Sequence, residues 1–145
     1  MMFRAVLFFF ILSFQFSVVQ AQCNSFVKKK CIPQLKPYTI NGQMNTSNLS
    51  AGQGAELVIT LYEGQNYRIL VCAEEVLGEV SFKLLDNEHT TLVDTKETAH
   101  PSYWDFNVKS TQLFIVEVDV PVANPPNKLI PNGCVSVLVG FKNDK

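Results

Sequence analysis

Several features that carry chemistry in other proteins are scarce or missing in this sequence of 145 residues. It has only 2 histidines, His89 and His100, and both lie in polar stretches typical of turns. It contains no G-x-S-x-G elbow, H-E-x-x-H pair, glycine-rich phosphate loop or EF-hand loop. Because a hydrolase triad needs a nucleophile, a base and an orienting group, we predict a protein that is not an enzyme and uses no cofactor.

Excess positive charge is also missing. The sequence has 12 Lys and Arg against 13 Asp and Glu, a formal net charge of -1. A protein that binds a phosphate backbone needs a dense basic face. The single basic run, Lys28 to Lys30, is best interpreted as a solvated surface. We therefore predict no nucleic-acid partner.

Long apolar runs are confined to the N-terminus. Arg4 precedes an apolar stretch over residues 5–14, and Val19 and Ala21 stand at the −3 and −1 positions of a cleavage site. This is the three-part pattern of a secretory signal peptide. Polar residues break the run before it reaches the roughly 18 apolar residues of a membrane span. We predict a signal peptide over residues 1–21, a secreted or periplasmic protein, and no transmembrane segment after cleavage.

The cysteines all lie in the exported part, at Cys23, Cys31, Cys72 and Cys134. No short C-x-x-C spacing is present, which argues against zinc, and an even number of cysteines in an oxidising compartment favours disulfides. Three pairings are possible. Cys72 and Cys134 both lie in strand-like segments. If those strands are neighbours, a Cys72–Cys134 bond forms and leaves Cys23 to pair with Cys31.

The segment around the first two cysteines does not fit that pairing well. Cys23, Val27 and Cys31 follow the i, i+4, i+8 spacing of one helix face. Eight residues of helix separate two Cα atoms by about 12 Å, beyond the roughly 7 Å limit of a disulfide. Either the segment is a loop closed by Cys23–Cys31, or it is a helix whose cysteines reach the sheet or stay free. The loop is slightly favoured.

From residue 38 onward the apolar pattern has a period of two, which indicates β-strands. The predicted strands cover residues 38–45, 55–62, 67–73, 79–86, 91–95, 102–108, 112–120 and 134–141. Polar residues 45–54 read as a loop, and residues 63–66, with Gly64, read as a hairpin-type turn. Seven or eight short strands without a long helix predict an all-β, antiparallel, jelly-roll-like β-sandwich. It forms one domain over residues 22–145, with a short N-terminal loop or helix.

A candidate ligand-binding site follows from the alternation in residues 102–108. Trp104 and Phe106 point to one side, where they join the core, and Tyr103, Asp105 and Asn107 share the other side. This outward face is the predicted site for a glycan or peptide, although a solvated sheet face is the simpler interpretation. We predict no metal site. Residues 86–88 (Asp-Asn-Glu) offer oxygen ligands, but calcium needs six to eight.

Two N-x-S/T sequons begin at Asn45 and Asn48. They matter only in a host that glycosylates, and the sequence does not identify the host.

The stretch GQNYRILVCAEEVLGEVSFKLLDNEHTTLVDT, followed by YWDF and GCVSVLVGFK, resembles small exported proteins of Bacteroidetes-type bacteria that have no assigned function. More loosely, Gly64, Tyr67 and Asp86 match the pattern of bacterial pre-peptidase C-terminal domains. Those domains are non-catalytic, jelly-roll-like sandwiches attached to secreted enzymes. The resemblance implies an exported sandwich. This chain departs from the pattern because it carries four cysteines and no attached enzyme.

Two functions are in competition. The first is a non-catalytic binding or structural module of the periplasm or cell surface, with an unknown protein or glycan as its partner at the cell envelope. The second is a carrier of an apolar, lipid-like ligand held between the sheets. It is suggested by segments that are apolar on both faces, residues 113–116 and 138–141. A helix or loop that covers the second face would explain these segments equally well.

Overall fold

The computed structural model describes residues 18–98, 102–125 and 127–142, and this part of the chain contains eight β-strands. The strands are β1 (Thr39–Ser50), β2 (Gly54–Leu61), β3 (Asn66–Ala73), β4 (Ser81–Asp86), β5 (Thr91–Asp94), β6 (Tyr103–Asn107), β7 (Gln112–Asp119) and β8 (Asn132–Lys142). Residues 1–17 and His100 lie outside the described residues. The signal peptide therefore stays a prediction.

The strands form two antiparallel sheets of four strands each. Sheet A has the order β1-β8-β3-β6, and sheet B has the order β2-β7-β4-β5. The chain changes sheet at every connection except the β4–β5 hairpin. This is the eight-stranded jelly roll, so the predicted fold class is confirmed.

The core lies between the two sheets and is built from alternate residues of each strand. In β7, Phe114, Val116 and Val118 point inward, as their spacing predicts. Burial of each such side chain contributes about 1.5–3 kcal/mol. The same layer contains Ile59, Leu61, Tyr67, Ile69, Val71, Phe82, Leu84, Val135, Val137 and Val139.

Two local predictions are wrong. The predicted hairpin at residues 63–66 is a turn, with Gly64 at φ +79°, but β2 and β3 belong to different sheets. A turn sequence sets the local bend and does not choose the strand partner. The predicted loop at residues 45–54 is instead strand up to Ser50, because residues 44–50 pair with residues 132–138 of β8. Both sequons therefore lie in β1.

A helical segment precedes the strands. It consists of α1 (Val18–Phe26), a π-helical turn (Val27–Cys31) and a 3₁₀ turn (Ile32–Leu35). Val27 and Leu35 are buried against Leu70 and Leu138 on the outer face of sheet A. The helical segment thus covers the second apolar face of β8. No helix in the described part of the chain has the length and apolar character needed to cross a membrane.

The disulfides join this helical segment to sheet A. Cys23 is bonded to Cys134 and Cys31 to Cys72, with Cα–Cα distances of 5.5 and 5.7 Å. The favoured pairing, Cys72–Cys134 with Cys23–Cys31, is wrong. β3 and β8 are indeed neighbours, but Cys72 is opposite Ser136 rather than Cys134. Because the N-terminal segment is helical, its two cysteines reach the sheet separately, which is the alternative that the helical spacing had left open.

Candidate functional site

The three predicted site residues lie on β6, an edge strand of sheet A. Trp104 and Phe106 pack against the core, so the alternation in this strand is confirmed. Opposite β6 lies β3, where Leu70 faces Tyr103, Arg68 faces Asp105 and Asn66 faces Asn107. The predicted site is therefore a ladder of cross-strand pairs on the outer face of sheet A.

Arg68 occupies the centre of this ladder. Its Nε and Nη2 atoms donate hydrogen bonds of 2.6 Å to the two carboxylate oxygens of Asp105. The guanidinium carbon lies 4.3 Å from the ring centre of Tyr103 and 4.7 Å from that of Tyr38. Nη1 donates to the backbone carbonyl of Lys36 at 3.1 Å. Arg68 thus ties the chain that follows the helical segment to sheet A.

The electrostatics of this cluster follow from the paired geometry. The hydrogen bonds that Arg68 donates to Asp105 raise the pKa of Arg68, and burial opposes them only in part. Asn107 donates from its side-chain amide to Asn66 Oδ1 at 3.0 Å and to the carbonyl of Gln65 at 3.3 Å. The functional groups of Asp105 and Asn107 thus already bind residues of β3 and of the turn before it. Ligand binding by Tyr103, Asp105 and Asn107 stays a prediction.

In the turn at residues 86–90, the side chain of Asp86 has a structural role. Asp86 Oδ1 accepts hydrogen bonds of 2.9 Å from the backbone N–H groups of Glu88 and Thr90. His89 occupies this turn with φ +62°. Within residues 18–98, 102–125 and 127–142, no three His, Cys, Asp or Glu side chains are grouped so that they could hold a metal ion.

Three apolar side chains on the outer face of sheet B are about half exposed. Val58 is 53% exposed, and Leu113 and Leu92 are each 48% exposed. Ile115 lies between Val58 and Leu85 in the strand register and is itself buried. We call this surface the open face; its outward residues are Glu56, Val58, Thr60, Lys83, Leu85, Leu92, Asp94, Leu113, Ile115, Glu117 and Asp119.

The open face has an acidic end. Glu56 and Glu117 lie directly opposite each other on β2 and β7. The two lysines beside them are already paired, since Lys83 lies 3.8 Å from Asp94 and Lys96 lies 2.6 Å from Asp119. The hydrogen bond to Asp119 raises the pKa of Lys96. A concavity of about 550 Å³ is located here, lined by Gly54, Ala55, Glu56, Ser81, Phe82, Lys83, Asp94, Lys96, Glu117, Val118 and Asp119.

A smaller groove follows the seam between the two sheets. Its volume is about 210 Å³, and it lies between the edge strands β1 and β2. Its apolar lining comes from Leu49, Leu57, Val118, Val135 and Val137. The space deeper between the sheets is filled by core side chains. This groove is one opening through which a ligand could reach the space between the sheets.

Sequence reasoning missed Arg68 and the Glu56–Glu117 pair. The sequence does contain an indication of the role of Arg68, because this residue is a lone charge in the apolar stretch YRILVC. A buried charge needs a partner, but the sequence does not show that this partner is Asp105. Nothing in the sequence indicates that Glu56 and Glu117 are neighbours, since the pairing of β2 with β7 joins segments that are far apart in the chain.

Together these features define a disulfide-anchored jelly roll with one covered and one open outer face. No family model and no curated protein matches the chain. Among solved structures it is similar to PliG of Aeromonas hydrophila, a periplasmic lysozyme inhibitor of g-type lysozyme. The TM-score is 0.50 at 8% identity, over 69% of this chain and 85% of that chain. This likeness shows the fold. The resemblance to exported Bacteroidetes-type proteins stays a prediction.

Proposed function

We propose that this chain is an exported, non-catalytic module of the periplasm or cell surface that binds a partner protein through the open face. The observation that carries the proposal is the contrast between the two outer faces. One is covered by a helical segment held by two disulfides, and the other leaves Val58, Leu92 and Leu113 about half exposed. Apolar surface rimmed by charged residues is typical of protein interaction sites.

Two further observations support export and binding. Disulfides persist in oxidising compartments, and here they link Cys23 and Cys31 to the sandwich. The similar fold of PliG belongs to a periplasmic protein that inhibits an enzyme. A jelly roll of this kind can therefore serve as a binding module without chemistry of its own.

Site-specific photo-crosslinking in cells that export the protein tests the proposal. A crosslinking amino acid at Leu113 is expected to capture a discrete protein, whereas the same probe at Lys29, exposed on the helical segment, is not. The captured protein is then purified and its affinity measured. Because an aspartate would place a charge in the apolar contact, Leu113→Asp should weaken binding about tenfold or more. Purified g-type lysozyme is the first candidate to assay directly.

The proposal is overturned if crosslinkers at both Val58 and Leu113 capture no protein, or if the captured protein binds Leu113→Asp as tightly as the unaltered chain. A glycan partner would be recognised if a purified envelope polysaccharide bound the unaltered chain and Leu113→Asp equally well.

The seam groove favours a second candidate, a carrier of an apolar ligand. Leu49, Leu57 and Val135 line an opening of about 210 Å³ between the sheets, which suits a short alkyl chain. Native mass spectrometry of the exported protein separates the two functions. A bound lipid mass would support the carrier, and a bare protein mass would exclude it.

A further inference from the structure

The open face combines two kinds of surface that together restrict what can bind to it. Its apolar half contains Val58 and Leu113, which flank the buried Ile115. Its acidic half begins one row further along the same strands, with Glu56 and Glu117. An occupant that covers both halves must match apolar surface and negative charge at once.

The charge on the acidic half is not balanced within the chain. Asp94 and Asp119 are paired with Lys83 and Lys96, respectively. The carboxylates of Glu56 and Glu117 form no hydrogen bond or ion pair with any residue that the structure describes, although the two residues occupy directly opposite positions. Lys83 lies opposite Glu117 on its other side, but the ammonium of Lys83 is the one paired with Asp94, so the carboxylates of the acidic half still outnumber its lysines. Like charges in opposite positions of an antiparallel pair destabilise the sheet. A cation placed between the two carboxylates removes this repulsion.

The shape of the acidic half admits such a cation. Glu56, Glu117 and Lys83 line the concavity of about 550 Å³. This volume accommodates the end of a long side chain, and an arginine fork or a lysine ammonium would meet both carboxylates. Val58 is the next outward residue after Glu56 on β2, so the concavity lies beside the apolar half of the open face.

We propose that the open face docks a protein surface in which lysine or arginine side chains stand beside apolar ones. The basic side chain lies between Glu56 and Glu117, and the apolar side chains cover Val58 and Leu113. This inference rests on the proposed function and names the chemistry of the partner. A second copy of this chain is disfavoured, because stacking two open faces would add a second unbalanced Glu56–Glu117 pair to the interface.

Designed strand peptides test this chemistry without knowledge of the natural partner. One peptide alternates leucine with arginine, and its matched control alternates leucine with glutamine. Titration followed by amide NMR of the exported chain is expected to shift residues 54–58 and 113–119 with the arginine peptide. Replacing arginine by glutamine should weaken binding about fivefold or more, since two charge contacts are lost.

The matching protein variants are Glu56→Gln and Glu117→Gln, alone and combined. The combined variant should bind the arginine peptide about fivefold more weakly and the glutamine peptide unchanged. Glu75→Gln removes the same charge at an exposed position outside the open face and should change neither affinity. The amide spectrum of each variant without peptide confirms that it is folded.

Three results would overturn the inference: equal affinity for both peptides, no loss in the combined variant, or shifts confined to the helical segment. Concentration-dependent self-association through Leu113 in sedimentation would also overturn it. The two proposals can fail separately. If crosslinking at Leu113 captures a partner whose affinity does not change in Glu56→Gln and Glu117→Gln, the proposed function is supported and only the basic chemistry of the partner is wrong.

Discussion

Arg68 and Asp105 form a bidentate ion pair across β3 and β6, with both N–O distances at 2.6 Å. The Arg68 side chain is only 12% exposed, while that of Asp105 is 35% exposed. Because Nη1 of Arg68 also donates to the Lys36 carbonyl, the pair connects the sheet edge to the chain that leaves the helical segment. Asp105, which is predicted to bind a ligand, thus takes part in a contact that holds two parts of the fold together.

Arg68→Met should lower the free energy of unfolding by about 1–3 kcal/mol, since it leaves Asp105 and the Lys36 carbonyl without their donor. Arg68→Lys should restore little, because an ammonium cannot make the two parallel bonds. Denaturant unfolding measures both variants. Unaltered stability in Arg68→Lys would contradict the structural role of the fork.

The pH dependence of this contribution has a definite sign. The pKa of Arg68 is raised in the folded chain, chiefly by its hydrogen bonds to Asp105. The charged form is therefore the stabilised one. The contribution is fully present below the ordinary arginine pKa and is lost only as the pH rises above that value. Between about pH 6 and pH 9, where arginine is fully charged, the loss caused by Arg68→Met should stay constant.

The disulfide pairing can be checked by peptide mapping without reduction, which should recover linked peptides for Cys23–Cys134 and Cys31–Cys72. Replacing Cys31 and Cys72 by serine removes a crosslink with a sequence separation of 41. Loop-closure entropy predicts a loss of about 4 kcal/mol on this change, measured by denaturant unfolding. Recovery of a Cys72–Cys134 peptide would contradict the structure.

The covered and open faces should respond differently to the same substitution. Leu138 is fully buried beneath the helical segment, so Leu138→Ala should cost about 2–5 kcal/mol of unfolding free energy. Leu113 is about half exposed, so Leu113→Ala should change stability by about 0.5 kcal/mol or less. Thermal or denaturant unfolding of the two variants tests the contrast. Equal losses would mean that something in the chain covers the open face.

A substitution at Gly140 tests how closely the helical segment and the residues after it pack on sheet A. A Cβ atom at this position would lie 2.8 Å from Tyr38 Cβ and 3.1 Å from Leu35 Cδ2. Gly140→Ala should therefore cost about 1–3 kcal/mol. Because Tyr38→Gly removes the nearer atom, the cost should shrink in that background, as a double-mutant cycle of unfolding free energies would show. Additive losses would contradict the contact.

The strands were largely predictable because their information is local. Alternation placed β7 with Phe114, Val116 and Val118 inward, and the core contains all three. The exceptions occur where pairing overrides composition. Residues 45–50 read as a polar loop, yet they form an edge strand because β8 supplies their hydrogen-bond partners and Ser136 accepts or donates a bond of 2.9 Å with Thr46.

The candidate sites were less predictable because they depend on partners distant in the chain. Alternation placed Asp105 on an outward face, but only the register of β3 and β6 brings Arg68 opposite it. The same holds for Glu56 and Glu117, which are neighbours solely because β2 and β7 pair. Residue type and spacing carry no information about that choice of strand.

By itself, the amino-acid sequence determined the β class, the inward residues of most strands and the helical spacing of Cys23, Val27 and Cys31, since each follows from a repeat along the backbone. Only the tertiary structure decided which sheet each strand joins, which cysteines pair and which outer face stays open. These outcomes depend on contacts between segments far apart in the chain, such as the 111-residue separation between Cys23 and Cys134. Such contacts follow from how the whole core packs together, which no local pattern records.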